Sequence, residues 1–312
     1  MAPTETVKVL ISGGGIAGGC AAYWLSRSKL SFDITVVERS PVPRVTGQAV
    51  DVRGHAIQVV ENMGVLEAIR SKNTTETGTA FIDKNGKVLA LFEADGDKSA
   101  TSEFEILRAD LARIFLNAVD NRHNIKFVYG TTIESLTQHA NTVSVTFKGS
   151  KEPEDYHVVI GADGLGSKTR SLAFDKSITE DPYYSLGMYL AYFSIPSIPT
   201  DNKLWNWYST PKGRTVHIRP HQDPKTMGAL LCVTMPTRTD TDPVLATAME
   251  QGNDEVKKVL KEYFKDAGWQ ADRVVDGMMT ADDFYSSKWD QVRIAEWTTG
   301  NVALVSPSSL RT

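Results

Sequence analysis

The chain has 312 residues, with 41% hydrophobic and 23% charged side chains, a formal net charge of −4 and two cysteines. At about 100–200 residues per domain, two domains are expected, and the composition excludes wholesale disorder and a disulfide-built scaffold. The negative balance, with no Lys/Arg block, leaves no basic field for nucleic acid. Cys20 and Cys232 lie far apart and outside any metal-ligand spacing, so no metal is expected. Met1 to Thr6 carries no basic region followed by an apolar run, and no apolar stretch approaches the roughly 20 residues of a membrane span. A soluble, cytoplasmic protein is expected.

In chain order, Val7 to Ser12 is β-branched, apolar and followed by glycines, which predicts a buried parallel strand. Ala17 to Ser28 reads as a small-residue helix and Phe32 to Glu38 as a second buried strand, completing a βαβ unit. Arg53 to Met63 reads as a helix ended by Gly64. Thr79–Ile82 and Val88–Phe92 flank the turn Asp83-Lys84-Asn85-Gly86 and predict a hairpin. Ala94 to Ser102 reads as loop, and Ala109 to Val119 as an amphipathic helix. Strands are predicted at Ile125–Tyr129, Thr132–Leu136, Val143–Phe147 and Tyr156–Ile160. From Tyr183 to Pro236 the chain turns aromatic and alternating, as in a largely antiparallel sheet. Asn253–Ala267 and Ala271–Met279 read as helices, and Val302–Val305 as a last short strand.

The first chemical motif is Gly13-Gly14-Gly15-Ile16-Ala17-Gly18. Gly13 suits a tight turn, Gly15 lets backbone approach a pyrophosphate, and Gly18 lets a helix pack closely on a strand. The phosphates would sit at the positive end of the helix. Glu38 ends the next strand 20 residues after Gly18, where its carboxylate would accept from ribose hydroxyls. A carboxylate there repels a 2′-phosphate, so FAD and NAD fit this site and NADP does not. The second motif, Gly161-Ala162-Asp163-Gly164, also follows a buried strand. By spacing alone it is equally a turn with Asp163 as a helix cap.

Together with Glu38-Arg39 and the continuation Leu165-Gly166-Ser167-Lys168-Thr169-Arg170, these motifs resemble the class A FAD-dependent aromatic monooxygenases. This family is typified by para-hydroxybenzoate hydroxylase, and the similarity is to its secondary-metabolism branch. Arg44, Gly47, Gln48 and Val50-Asp51-Val52-Arg53-Gly54 resemble the segment after its second strand, and Leu107-Arg108-Ala109-Asp110-Leu111 its R-x-x-L segment. The similarity runs in order from residue 7 to 305. It implies an α/β fold: a Rossmann-like FAD/NAD(P)-binding domain with a parallel sheet (residues 1–72, 103–175 and 282–312) and a β-rich substrate domain (73–102 and 176–281). It implies FAD contacts from Gly13, Gly15, Ile16, Ala17, Gly18, Glu38, Arg39, Arg44, Gln48 and Arg108. It assigns Asp163 and Gly164 to FAD or NAD(P)H.

The implied reaction uses NAD(P)H to reduce the flavin. Dioxygen is then taken up, and one oxygen atom passes to an electron-rich substrate, with hydroxylation or epoxidation as the outcome. A hydrophobic aromatic or polycyclic secondary metabolite is the implied substrate. The β-rich middle would supply its pocket, where Trp205, Trp207, Tyr208, His217 and Arg219 cluster; His217 and Arg219 alternate on one strand face. No G-x-S-x-G, H-E-x-x-H or P-loop competes.

One departure cuts against the resemblance. After a strand such as Asn301–Val305 the family continues with Gly-Asp and a helix, but here Ser306-Pro307-Ser308-Ser309 follows. This implies an intact ADP half and an incomplete isoalloxazine half, with apolar surface for self-association or a partner chain to cover. The alternatives are therefore a redox-neutral enzyme on the same fold, catalysing cyclisation or dehydration, and a non-catalytic nucleotide-binding fragment.

Overall fold

The computed structural model describes residues 6–43, 48–94, 104–175 and 183–305. Arg44, most of the loop expected at Ala94–Ser102, and the run from Ser306 onward lie outside the described residues.

The chain begins with β1 (Val7–Ser12), α1 (Ile16–Ser26) and β2 (Phe32–Glu38), then β3 (Ala49–Asp51), α2 (His55–Asn62) and α3 (Leu66–Arg70). A hairpin of β4 (Gly78–Ile82) and β5 (Val88–Glu93) follows, then β6 (Glu105–Leu107), α4 (Arg108–Asn117) and β7 (Ile125–Tyr129). Next come β8 (Ile133–Gln138), β9 (Val143–Phe147), β10 (Glu154–Tyr156), β11 (Val158–Gly161) and α5 (Lys168–Ala173). The remainder is β12 (Tyr183–Pro196), β13 (Leu204–Thr210), β14 (Arg214–Pro220), β15 (Thr226–Thr234), α6 (Pro243–Gln251), α7 (Asn253–Phe264), α8 (Ala271–Thr280), β16 (Tyr285–Val292), β17 (Thr298–Thr299) and β18 (Val302–Leu304).

Two large sheets organise these elements. The first has the order β17-β18-β11-β1-β2-β7 and is parallel apart from β17. Its central strand buries Val9, Leu10 and Ile11 completely, as expected of a strand covered on both faces. Helix α1 lies close because Gly18, Gly19 and Ala22 are small; a Cβ at Gly19 would sit 3.0 Å from Phe115 of α4. The second sheet has the order β16-β12-β15-β14-β13-β4-β5 and is antiparallel except between β13 and β4. Helices α6, α7 and α8 cover one of its faces, with Phe264, Met278, Val274 and Leu245 fully buried against Ile195, Ile218 and Leu231.

Three sequence expectations change. The run Tyr156–Ile160 is two strands: His157 donates its backbone N–H to Lys8 and accepts from Lys8 at Nδ1, and the chain passes from β10, paired with β9, to β11 beside β1. Helix α6 was not foreseen, although Asp242 caps it by accepting from the N–H groups of Val244 and Leu245. Strand β16 pairs with β12, so residues 285–292 belong to the seven-stranded sheet rather than to the first unit, where a boundary at 282 would put them.

Candidate functional site

The glycine loop and the acid that ends β2 meet at the carboxyl ends of β1, β2 and β11, where a ligand lies in an open parallel sheet. Gly13 has φ +111°, and a Cβ there would lie 2.4 Å from the Ala162 carbonyl oxygen. A Cβ at Gly18 would lie 1.9 Å from the Gly13 oxygen. These two glycines are demanded by packing, whereas Gly15 has nothing within 4 Å of a built Cβ. Gly15 is the N-cap of α1, with no side-chain cap and no acid in the first turn. The first N–H groups of α1, from Ile16 to Gly18, therefore have no helical acceptor, and the space beside Gly15 is open, the setting an anion needs.

The Glu38 carboxylate borders the same space. Its Oε2 accepts from the Gly14 N–H at 2.9 Å and its Oε1 from the Ser40 N–H at 2.9 Å. Each oxygen keeps lone pairs for a ribose diol. Arg39, the next residue, is exposed. A nucleotide diphosphate cofactor thus fits on two independent observations, a glycine cradle left open and a fixed carboxylate beside it.

The second motif abuts the first, since Gly13 touches Ala162 and Asp163. Its polar groups serve their own loop. Asp163 accepts from Ser167 Oγ at 2.5 Å and from the Thr169 N–H and hydroxyl at 2.9 and 3.0 Å. Ser167 caps α5, and buried Arg170 donates to the Leu165 carbonyl and the Tyr183 hydroxyl. Asp163 therefore ties the loop to the start of α5 while Ser167, not Asp163, is the N-cap, and Gly164, at φ +80°, turns the loop.

Strands β3 and β6 form a separate two-stranded ribbon. At one end the Arg108 N–H donates to the Gln48 carbonyl at 3.0 Å, which joins two candidate cofactor residues. The Arg108 side chain is exposed and has no side-chain partner among the described residues. At the other end Asp51 faces Glu105. With strand residues rising about 3.3 Å each, the two ends are about 10 Å apart.

The second sheet presents its open face beyond that acidic end. Strand parity places Phe92, Thr79, Trp205 and Arg219 in one cross-strand row, and Phe81, Trp207, His217, Leu230, Tyr192 and Tyr285 in the next. The rings form a run: Phe92 to Phe81 at 5.9 Å, Phe81 to Trp207 at 5.4 Å, Trp207 to Trp205 at 4.8 Å and Trp207 to His217 at 4.3 Å. Phe81 and Phe92 are exposed, and the two tryptophans are half-buried. Tyr208 does not share this face. It pairs with Val216, donates to the Ala267 carbonyl at 2.7 Å and packs in the helix-covered core. Its expected place beside Trp205 is therefore corrected, because adjacent strand residues point to opposite sides.

Arg219 stacks over the Trp205 ring at 4.1 Å. Its Nε and Nη2 donate to Glu76 Oε2 at 2.9 and 2.7 Å, and Nη2 also donates to Glu105. The two carboxylates are almost wholly buried, at 1% and 6% side-chain exposure. Burial pushes Glu76 up to about 7 despite the opposing pull of Arg219, and Glu105 is raised for the same reason. His217 is driven down to about 3, by burial first and by Arg219 second, so it is neutral at pH 7. Its Nε2 bonds the Thr215 hydroxyl at 2.8 Å. Sequence reasoning missed Glu76 and Glu105. An acid between Phe104 and Ile106 was a usable signal for Glu105, whereas Glu76, in a polar stretch, gave none.

Among the described residues no cluster of His, Cys, Asp or Glu could hold a metal ion, and no helix is long and apolar enough to cross a membrane.

A glycine cradle at the ends of a parallel sheet, joined to a second sheet with an aromatic face, is the layout of a flavoprotein oxygenase. The chain belongs to the FAD binding domain family, whose model matches residues 6–294, and it is an FAD-dependent monooxygenase. It is 35% identical to monooxygenase CTB7 of Cercospora beticola, over 97% of this chain and 74% of that protein. It is 33% identical to FAD-dependent monooxygenase asL4 of Sarocladium schorii, over 97% and 70%. Among solved structures it resembles tetracycline destructase Tet(55), with a TM-score of 0.77 and 31% identity over 98% of this chain and 74% of that one. The fold is shared with HpxO of Klebsiella pneumoniae, solved with FAD and uric acid, at a TM-score of 0.70 and 18% identity over 96% and 72%.

Proposed function

We propose that this monooxygenase transfers one oxygen atom from dioxygen to a hydrophobic aromatic or polycyclic secondary metabolite, with NAD(P)H as reductant. The observation that carries the substrate class is the aromatic run Phe92–Phe81–Trp207–Trp205 on the open face of the second sheet. Flat rings stack on such a surface, and it buries apolar area without requiring a charge. The resemblance at 31% identity to a destructase of tetracycline, a fused-ring compound, supports the same class.

In this reading the N–H groups of Ile16, Ala17 and Gly18 hold the cofactor pyrophosphate above Gly15, and Glu38 accepts from the adenosine ribose. Gln48 and Arg108, at the near end of the β3–β6 ribbon, contact the flavin portion. Bound FAD supplies hydride acceptance and oxygen activation. The chain supplies binding, orientation and exclusion of water. Arg219, pinned between Glu76 and Glu105, ties the aromatic sheet to the ribbon and so fixes the substrate surface relative to the cofactor.

The test is the visible spectrum of the purified chain before and after FAD addition and desalting, followed by NADH and NADPH oxidation with phenolic polycycles. Retained flavin and substrate-stimulated oxidation are expected. A protein that retains FAD but turns over substrate without reductant or oxygen would overturn the oxygenation reading.

A further inference from the structure

We propose that the aromatic face of the second sheet selects electrically neutral ring systems and rejects aromatic carboxylates, because the arginine that would recruit a carboxylate is already held by two carboxylates of its own chain. The inference rests on the reading of this face as the substrate surface.

An aromatic acid needs a compensating cation in its pocket, since an unpaired buried carboxylate is costly. By strand parity, Arg219 is the charged side chain on this face among the described strand residues; its neighbours there are Trp205, Trp207, His217, Leu230, Thr79 and Phe92. Its Nε and Nη2 are spent on Glu76 and Glu105, and its plane lies on Trp205. Only Nη1 has no partner within the cluster. It can donate to a neutral carbonyl or phenol oxygen, but the cluster as a whole carries one positive group against two acids. The second oxygens of both acids, Glu76 Oε1 and Glu105 Oε2, are buried without a hydrogen-bond partner. Arg219 is thus the donor that the two acids share, and their second oxygens receive no further hydrogen bond. Nearby, Asp51 and Arg53 pair with each other at 3.5 Å and cancel. His217 adds no cation, since it is buried and neutral. An incoming carboxylate thus meets a surface that is neutral when one acid holds a proton and negative when neither does.

The size of the effect follows from Coulomb's law. For an assumed separation of about 12 Å and an effective dielectric of about 20, one uncompensated charge changes affinity roughly tenfold.

The experiment is equilibrium dialysis of the full chain with 2-naphthol and with 2-naphthoate at pH 8. These probes share a ring system and differ in charge. Naphthol is expected to bind about tenfold more tightly. Glu76→Gln, and separately Glu105→Gln, should shrink that ratio several-fold by removing one negative charge; two variants guard against one that fails to fold. Trp207→Ala should weaken both probes and so locates them on this face. Naphthoate binding as tightly as naphthol to the unaltered chain overturns the inference and leaves the substrate surface standing. So does an unchanged ratio in a folded Gln variant. If neither probe binds, or Trp207→Ala changes neither affinity, the surface itself is misassigned and both readings fall.

Discussion

Gly15→Ala should weaken FAD binding roughly ten- to a hundredfold without disturbing the fold. A methyl group at Gly15 meets no protein atom within 4 Å, and its backbone (φ −85°, ψ −162°) is extended and open to alanine. Alanine is a poorer N-cap than glycine, which costs helix stability, but it also loses less entropy on folding, by about 0.4–1 kcal/mol. These opposing effects leave apoprotein stability within about 1 kcal/mol of the parent, a shift of at most about 4 °C for a chain of this size. The same methyl group stands where the proposed pyrophosphate site meets the α1 N–H groups. Displacing one charge-assisted hydrogen bond of about 1.5–3 kcal/mol weakens FAD by roughly ten- to a hundredfold. Gly18→Ala is the contrasting variant. Its Cβ would lie 1.9 Å from a backbone oxygen, so it should lower both apoprotein stability and FAD affinity. The assays are thermal melting of each apoprotein and FAD titration by quenching of flavin fluorescence. An unchanged FAD Kd in Gly15→Ala would refute the placement of the pyrophosphate. A melting loss as large as that of Gly18→Ala would refute the steric argument.

Glu38→Gln replaces a carboxylate that accepts from two backbone N–H groups with an amide that can accept from only one. FAD and ADP should both weaken about tenfold or more; calorimetry showing an unchanged ADP Kd would rule out a ribose-side role. Stability should fall with rising pH through the Glu76 window. Its folded carboxyl is raised from 4.5 to about 7, so the folded state holds the proton more tightly than the unfolded chain. That contribution is complete below pH 4.5 and lost as pH rises through 7, on the order of 3 kcal/mol. Melting temperatures between pH 5 and 8 should slope less in Glu76→Gln, and parallel curves would contradict the assignment. Tyr208→Phe should cost about 1 kcal/mol through its lost bond to Ala267. Probe binding should not change, and denaturant melts with dialysis separate the two effects.

The cofactor end was legible because its logic is local. Within residues 7–38 the strand, the glycine turn, the small-residue helix and the acid each carry their own signal. Contact between distant segments is needed only to explain why Gly13 must lack a side chain, which is the approach of Ala162. The capping of α6 was equally local. Asp242, Pro243 and Gly252 mark its start and end, but its buried face is only Leu245 and Ala248, too short a stripe to outweigh the turn-like Asp-Pro pair. The aromatic sheet, the proposed substrate end, was legible in composition and not in partnership. Trp205, His217 and Arg219 could be picked out as a cluster, yet the acids that hold Arg219 come from 143 and 114 residues away. No local pattern announces a pairing of that separation.

Parity, by contrast, is readable from the strand sequences alone. If Trp205 and Trp207 face the open side, Tyr208 cannot, because side chains alternate along a strand. The observed register, Trp207 opposite His217 and Tyr208 opposite Val216, follows that rule without exception. The same rule isolates Arg219 as the charge on the aromatic face. An arginine among aromatics invites the assignment of an anion receptor, but its net charge is set by what lies behind it. Here two buried acids stand behind it, so the residue that looks most like a substrate anchor is the joint between the aromatic sheet, the proposed substrate surface, and the β3–β6 ribbon, the proposed approach to the cofactor.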